Sequence, residues 1–305
     1  YHTTTSGKKE FDLSYQIPLN PRNGTLQLRA TRTRNQITQE SLKTFGIEGK
    51  NELYGLSFRQ LLIRTPREEF ALSVGFSHKD GQTFIFNNIL QPFSIGAEAD
   101  GVTRTSVFRF GQDYLRRDSQ GAWSVRSQFS FGTGLFDATT NPSSIPDGQF
   151  FSWLGQMQRL QVLDQNNLLL VSIDLQLTPD SLLPSKQFII GGGESIRGYR
   201  QNARSGDNGF RFSIEDRITL ERDEGGVSTF QLIPFVDLGK VWNNPNNPDT
   251  LPKQNLLLSA GLGFLWEPIP DLNIRLGYGF PIIDLDDRGT NAQDEGFYFG
   301  VDFNY

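Results

Sequence analysis

Apolar and polar residues alternate over most of this chain. At its end, Phe297, Phe299, Val301, Phe303 and Tyr305 fall on one side of an extended strand, and Tyr298, Gly300, Asp302 and Asn304 on the other. Leu272, Ile274, Leu276, Tyr278 and Phe280 likewise oppose Asn273, Arg275, Gly277 and Gly279. Near the start, Phe11, Leu13, Tyr15, Ile17 and Leu19 oppose Asp12, Ser14 and Gln16. In the middle, Trp123, Val125, Phe129 and Phe131 oppose Ser124, Arg126, Gln128 and Ser130. A period of two is the mark of a strand with one apolar face. It predicts thirteen strands, over about 11–19, 24–34, 51–63, 69–79, 103–114, 122–135, 150–163, 168–178, 208–222, 227–241, 255–267, 271–281 and 296–305. A soluble sandwich or soluble barrel would also alternate, so periodicity alone leaves the class open.

The connections decide it. Short ones (Asn20–Asn23, Arg64–Glu68, Leu115–Gly121, Asp164–Asn167, Asp223–Gly226, Pro268–Pro270) take turns with long ones at roughly 35–50, 80–102, 136–149, 179–207, 242–254 and 282–295. Outer-membrane barrels sort their connections this way, with tight periplasmic turns and long external loops. The expected fold is therefore all-β, a transmembrane antiparallel barrel with the Phe-rich faces toward lipid and residues 1–305 forming one domain. The first and last predicted strands both point toward the periplasm. Neighbours in a closed antiparallel barrel must run in opposite directions, so at least one further strand is expected before residue 11, with Tyr1–Thr5 as its stub.

Composition agrees. The chain has 305 residues, 36% hydrophobic yet 12% aromatic, with 25 Phe, 31 Gly and no Cys. No run approaches the ~18 apolar residues of a spanning helix. The absence of Cys excludes disulfides and thiolate metal sites. A net charge of −5 argues against a nucleic-acid partner, which calls for a basic patch. The polar start Tyr1-His2-Thr3-Thr4-Thr5 is not a signal peptide.

Candidate chemistry is sparse. An outer-membrane phospholipase or protease would need a His with a carboxylate or Ser partner on the rim, and only His78 is placed for that. A solvated strand-end His is the plainer reading. Asp284, Asp286 and Asp287 could offer oxygen ligands to calcium, but their spacing fits a solvated loop better. Asn23-Gly24-Thr25 has the form of a glycosylation site inside a tight turn. Gly191-Gly192-Gly193 is not followed by the Lys-Ser or Lys-Thr of a phosphate loop, and Ile196 stands where a dinucleotide fingerprint needs its third glycine. No catalytic residue, metal ligand or cofactor is expected.

The long connection 179–207 is the most informative stretch. Glu215 and Asp237 lie on the polar faces of the two strands after it, while Asp216 interrupts the apolar face. Arg197 on an inward-folded loop would be their natural partner, since Arg–carboxylate pairing is strong and directional. The bare pattern equally allows an external loop and acids that line a wet pore.

Ser195-Ile196-Arg197-Gly198-Tyr199, behind Gly191-Gly192-Gly193, resembles the Val-Arg-Gly-Tyr/Phe loop of the POTRA-linked outer-membrane barrel superfamily, with Ile196 in place of Val. Phe235-Val236-Asp237-Leu238-Gly239 resembles its Phe-x-Asp-x-Gly signature, and Glu215 matches its intervening acid. The resemblance implies a sixteen-stranded barrel, a loop 179–207 folded into the lumen with Arg197 on Asp237 and Glu215, and upstream POTRA domains and first strands absent from this chain. Leu61-Leu62-Ile63-Arg64-Thr65-Pro66 and Gln187-Phe188 are closer to the two-partner-secretion transporters (TpsB), especially cyanobacterial ones. That branch implies a pore in the outer membrane of a Gram-negative-type bacterium that secretes a large, unfolded, TpsA-like exoprotein, with hemolysin secretion/activation among its roles. Its further partners would be outer-membrane lipid and the barrel-assembly machinery, with Phe299, Phe303 and Tyr305 as the C-terminal assembly signal. Export there has no nucleotide to draw on and would be driven by cargo folding outside. The polar lumen, with Arg29, Arg59, Arg109, Arg126, Arg217 and Arg275 facing inward, suits a polypeptide. An insertase for other barrels, a passive porin and a rim enzyme built on His78 are the competing readings.

Overall fold

A computed structural model describes residues 2–3, 8–36, 48–85, 89–90, 95–142, 145–289 and 291–303. Thirteen long strands carry the fold: β1 (Lys8–Pro18), β2 (Thr25–Gln36), β3 (Glu48–Arg64), β4 (Glu68–Ile85), β5 (Val102–Asp118), β6 (Gly121–Thr133), β7 (Phe151–Val162), β8 (Asn167–Leu177), β9 (Asn208–Arg222), β10 (Ser228–Trp242), β11 (Leu256–Ile269), β12 (Leu272–Pro281) and β13 (Phe297–Phe303). Each pairs antiparallel with its chain neighbours, so the sheet follows chain order without a crossover. His2–Thr3 adds a stub to β1, and Ile89–Leu90 adds one to β4. Among the described residues no pairing joins β1 to β13.

Several strands outrun the alternation that predicts them. β4 continues through Asp80-Gly81-Gln82, a stretch that reads as the start of a loop because both its faces are polar. β5 continues through Arg116 and Arg117 to a two-residue turn, and Arg117 there meets Glu69 at 3.0 Å. In both places the strand has left the lipid, where alternation is no longer enforced but the backbone ladder still is.

The apolar face has a measurable height. On β4 its residues are Phe70, Leu72, Val74, Phe76 and His78. Above them a cross-strand row of charge, Arg32–Glu52–Asp80–Arg104, runs over four strands, with Arg32–Glu52 and Arg104–Asp80 each at 3.2 Å. Below them Glu68 stands opposite Arg116. The span from Glu68 to Asp80 is twelve residues, about 40 Å of strand. At a tilt of about 45° it rises about 28 Å, close to the ~25 Å apolar band of such barrels. Phe299 and Phe303 are exposed on this same face, at 72% and 58%. Tyr305 lies outside the described residues.

The opposite face carries the connection between β8 and β9 and is called inner below. Gln27–Ser14 and Gln156–Asp174 hydrogen bonds and Arg–carboxylate pairs cover it. The main buried cluster lies between that connection and the sheet: Phe188, Ile190, Ile196, Tyr199 and Ala203 from the loop against Val241 of β10 and Leu257, next to β11's first residue.

Candidate functional site

The β8–β9 connection is itself folded. Pro184–Lys186 forms a short 3-10 turn, and Phe188–Ile190 pairs with Arg204–Gly206 into a small hairpin. Gly191 and Gly192 follow with φ of 105° and 102°, and the Gly192 N–H donates to the Ile196 and Tyr199 carbonyls at 3.2 and 3.1 Å. Gly193 lies against the ring of Tyr298. Full burial of each large apolar side chain in the cluster contributes about 1.5–3 kcal/mol to seating the hairpin.

Close backbone approach sets the position of Arg197. Gly198 has φ 92°, and a Cβ there would stand 3.0 Å from the Gly279 carbonyl oxygen. A Cβ on Gly239 would stand 3.0 Å from Ile196 Cδ1. These two positions let the loop tip lie directly on β10 and β12.

Arg197 is then clamped. Its Nε donates to Asp237 Oδ2 at 2.7 Å and its Nη2 to Oδ1 at 2.7 Å, while its backbone N–H also reaches Oδ2 at 3.0 Å. Nη1 donates to Glu215 Oε2 at 2.8 Å. The guanidinium lies over the Phe235 ring, 3.5 Å from its centroid, a favourable cation–π geometry. Asp237 has no exposure at all, and the side chains of Glu215 and Arg197 retain 11% and 18%. Arg217 holds the other Glu215 oxygen at 2.9 Å. Arg197, Gly198, Tyr199, Glu215, Phe235, Asp237 and Gly239 therefore meet at one place on the inner face.

Two further members escape a reading by periodicity. Ser213 donates to Asp237 Oδ1 at 2.6 Å and accepts from Arg197 Nη2 at 3.1 Å. Tyr298 of β13 accepts the Gly198 N–H at 2.7 Å and donates to the Tyr199 carbonyl at 2.7 Å. Its one sequence signal is an aromatic hydroxyl on a strand face otherwise made of Gly and Asp. Tyr199 extends the contact, its hydroxyl reaching the Leu258 and Ile283 carbonyls at 2.7 and 2.9 Å.

The other candidates resolve differently. Asp287 accepts from Arg204 at 2.7 Å and Arg200 at 3.0 Å; the Arg204 hydrogen bond, with its charge and that of Arg200, holds the carboxyl below the usual range. Asp284 pairs with Arg288 at 3.1 Å. No cluster of three metal-ligating side chains occurs among the described residues. His78 Nδ1 does lie 2.9 Å from Ser106 Oγ. That hydroxyl is fully buried and donates to the Leu135 carbonyl at 2.7 Å, so it offers His78 no proton to abstract. Asn20 Oδ1 accepts the Arg22 and Gly24 N–H groups, making Asn23 part of a tight turn.

An Escherichia coli O6:K15:H31 (strain 536/UPEC) protein described as "Outer membrane transporter CdiB" is 24% identical over 164 residues, 53% of this chain and 26% of that protein. The solved structure of CdiB from Escherichia coli is similar at a TM-score of 0.76 and 17% identity, covering 98% of this chain and 54% of that one. CdiB from Acinetobacter baumannii gives 0.73 at 18% identity, over 98% of this chain and 50% of the other. BamA from Haemophilus ducreyi lacking POTRA domains 1–3 gives 0.65 at 14% identity, over 97% and 61%. These likenesses establish the barrel fold, while the chain spans about a quarter of the curated relative and about half of each CdiB structure. A family model described as haemolysin secretion/activation protein ShlB/FhaC/HecB matches residues 1–265, and to that family this chain belongs.

Proposed function

We propose that this chain is the translocation barrel of an outer-membrane transporter that secretes a large exoprotein by two-partner secretion. Transporters of the family work with secreted exoprotein partners. The carrying observation is the buried Arg197–Asp237–Glu215 clamp, which supports residues 179–207 as a plug or brace held inside the lumen. In this reading the chain is one barrel domain that does no chemistry of its own. Its partners are an unfolded TpsA-like polypeptide, the surrounding outer-membrane lipid and the barrel-assembly machinery, and its host is a Gram-negative-type bacterium of cyanobacterial kind.

The test is genetic. Deletion of the gene abolishes surface or medium delivery of one large exoprotein while other outer-membrane barrels keep their levels, and the wild-type gene restores delivery. The likeness to BamA, lower than that to CdiB, favours a second reading as an insertase. A general loss of outer-membrane barrels on deletion, with no specific exoprotein retained, would overturn the secretion reading in its favour.

A further inference from the structure

The inner-face arginines are mostly neutralised where they stand. Arg29 pairs with Asp12, Arg211 with Asp174 and Arg217 with Glu215, while Arg59 and Arg126 share Asp113 at 3.6 and 3.7 Å. One group departs from this rule. Lys79 of β4 and Arg109 of β5 face the side of the sheet on which Lys186 of the loop's 3-10 turn lies, near enough for their charges to act on it, and among the described residues no carboxylate pairs with any of them. Leu182 is what brings the loop there. It packs with Val107 and Phe150 in a separate buried cluster, and Val107 sits on β5 between Thr105 and Arg109.

The surroundings are those of a site short of a ligand. Arg109 Nη1 donates to Ser77 Oγ at 2.6 Å, its one hydrogen bond to a side chain among the described residues. Thr105 is the cross-strand partner of Lys79. Thr105 is only 3% exposed, yet among the described residues its buried hydroxyl has no hydrogen-bond partner. An orphaned hydroxyl beside unpaired cations costs stability unless something accepts from it. Burial, and then the charges of Arg109 and Lys79, push the Lys186 ammonium down to about 7, so near neutral pH Lys186 is fully charged only when an anion offsets its neighbours.

We propose that Lys79, Thr105, Arg109 and Lys186 form an anion-binding site on the inner wall, and that its ligand is the carboxylates of an acidic polypeptide segment in the lumen. The lysines and Arg109 supply charge, and Thr105 supplies a directional O–H donor. The polypeptide identity of the ligand rests on the secretion reading above; the anion site does not. It gives the route a place where Asp- or Glu-rich stretches pause, on a wall where most arginines are already paired.

The full-length protein in detergent micelles is titrated with hexaglutamate and hexalysine peptides carrying a neutral fluorophore, read by anisotropy. Hexaglutamate binds and hexalysine does not. Lys79→Gln combined with Lys186→Gln weakens hexaglutamate binding about tenfold, and Thr105→Val weakens it with no change in charge. Arg59→Gln combined with Arg126→Gln, which removes two charges that share Asp113, leaves it unchanged. Each variant is checked for the heat-modifiable gel shift of a folded barrel. Equal loss in the Arg59→Gln/Arg126→Gln pair and in the lysine pair would reduce the effect to bulk electrostatics and overturn the site. Binding of inorganic phosphate with none of hexaglutamate would overturn the carboxylate assignment. Hexaglutamate binding that survives in a protein found not to secrete would strike the secretion reading and leave the site standing.

Discussion

Asp237 is the member of the clamp whose removal is most diagnostic. Asp237→Ala deletes four hydrogen bonds, from the Arg197 Nε, Nη2 and backbone N–H and from Ser213 Oγ. Glu215 remains, but Arg217 occupies one of its oxygens, so Arg197 keeps one carboxylate bond at 2.8 Å and its weaker bond to Ser213 Oγ at 3.1 Å. Removing one partner of a buried ion pair costs about 3–5 kcal/mol. The 18% exposure of the Arg197 side chain lets water offset part of this, which places the cost near ~3 kcal/mol. At about 1.4 kcal/mol per factor of ten, the seated-to-unseated ratio of the loop falls roughly 150-fold. Arg197→Ala leaves a fully buried Asp237 with only Ser213 and costs a similar amount, while the double mutant costs about 3 rather than ~6 kcal/mol. Hydrogen exchange of the micellar protein measures this at the Gly198 and Gly192 amides, with the ladder amides of β9 and β10 as internal controls. Unchanged protection at Gly198 in Asp237→Ala, or single-mutant losses that simply add, would refute the clamp as the element that seats the loop.

Tyr298→Phe removes one acceptor and one donor from the loop tip; exchange at Gly198 rises by the equivalent of about 1–3 kcal/mol while β12–β13 pairing persists. Gly198→Ala forces a side chain into φ 92° against the Gly279 carbonyl, so the loop unseats with the barrel still folded, seen as faster proteolysis within 179–207. Phe264→Arg places a charge on the lipid face in mid-β11 and costs roughly 2–4 kcal/mol in urea unfolding from bilayers; no loss would displace the apolar belt. Asp287 is held low by Arg204. Its contribution is therefore complete above the ordinary carboxylate range and is lost as pH falls through its lowered value. Protection of the Arg204–Gly206 strand should decline on that acid limb and stay flat above pH 5, and Asp287→Asn should abolish the decline.

The strands were legible because lipid imposes alternation on every one of them. Phe297 to Phe303 needs only its period to show which face is which. Where lipid ends, so does the signal: Gly81 and Arg116 belong to strands that their side chains do not announce. The inner face is harder to read, since water and loop both tolerate polar residues there. Glu215 and Asp237 could be placed on that face by counting, yet counting could not say whether Arg197 came to them. The family motif supplied that expectation. Ser213 and Tyr298 stayed hidden because hydroxyls on a polar face are unremarkable until a guanidinium or a glycine N–H is set beside them. The unpaired cations were hidden for the converse reason: Lys79 and Lys186 are 107 residues apart, and only the packing of Leu182 on Val107 makes them neighbours.

The two bonds of Tyr298 reach across almost a hundred residues, to Gly198 and Tyr199. The loop is thus fastened partly by strands that follow it at once and partly by the last strand of the sheet. A sheet that has gained β9 and β10 can supply Ser213, Glu215 and Asp237, but not the hydroxyl that holds the tip or the Gly279 backbone it rests on. Full seating is consequently a checkpoint on completion: the loop tip finds its last contacts only after β13 is in register. A barrel caught before that step would expose both an open edge and an unfastened loop, two independent marks by which quality control could recognise it.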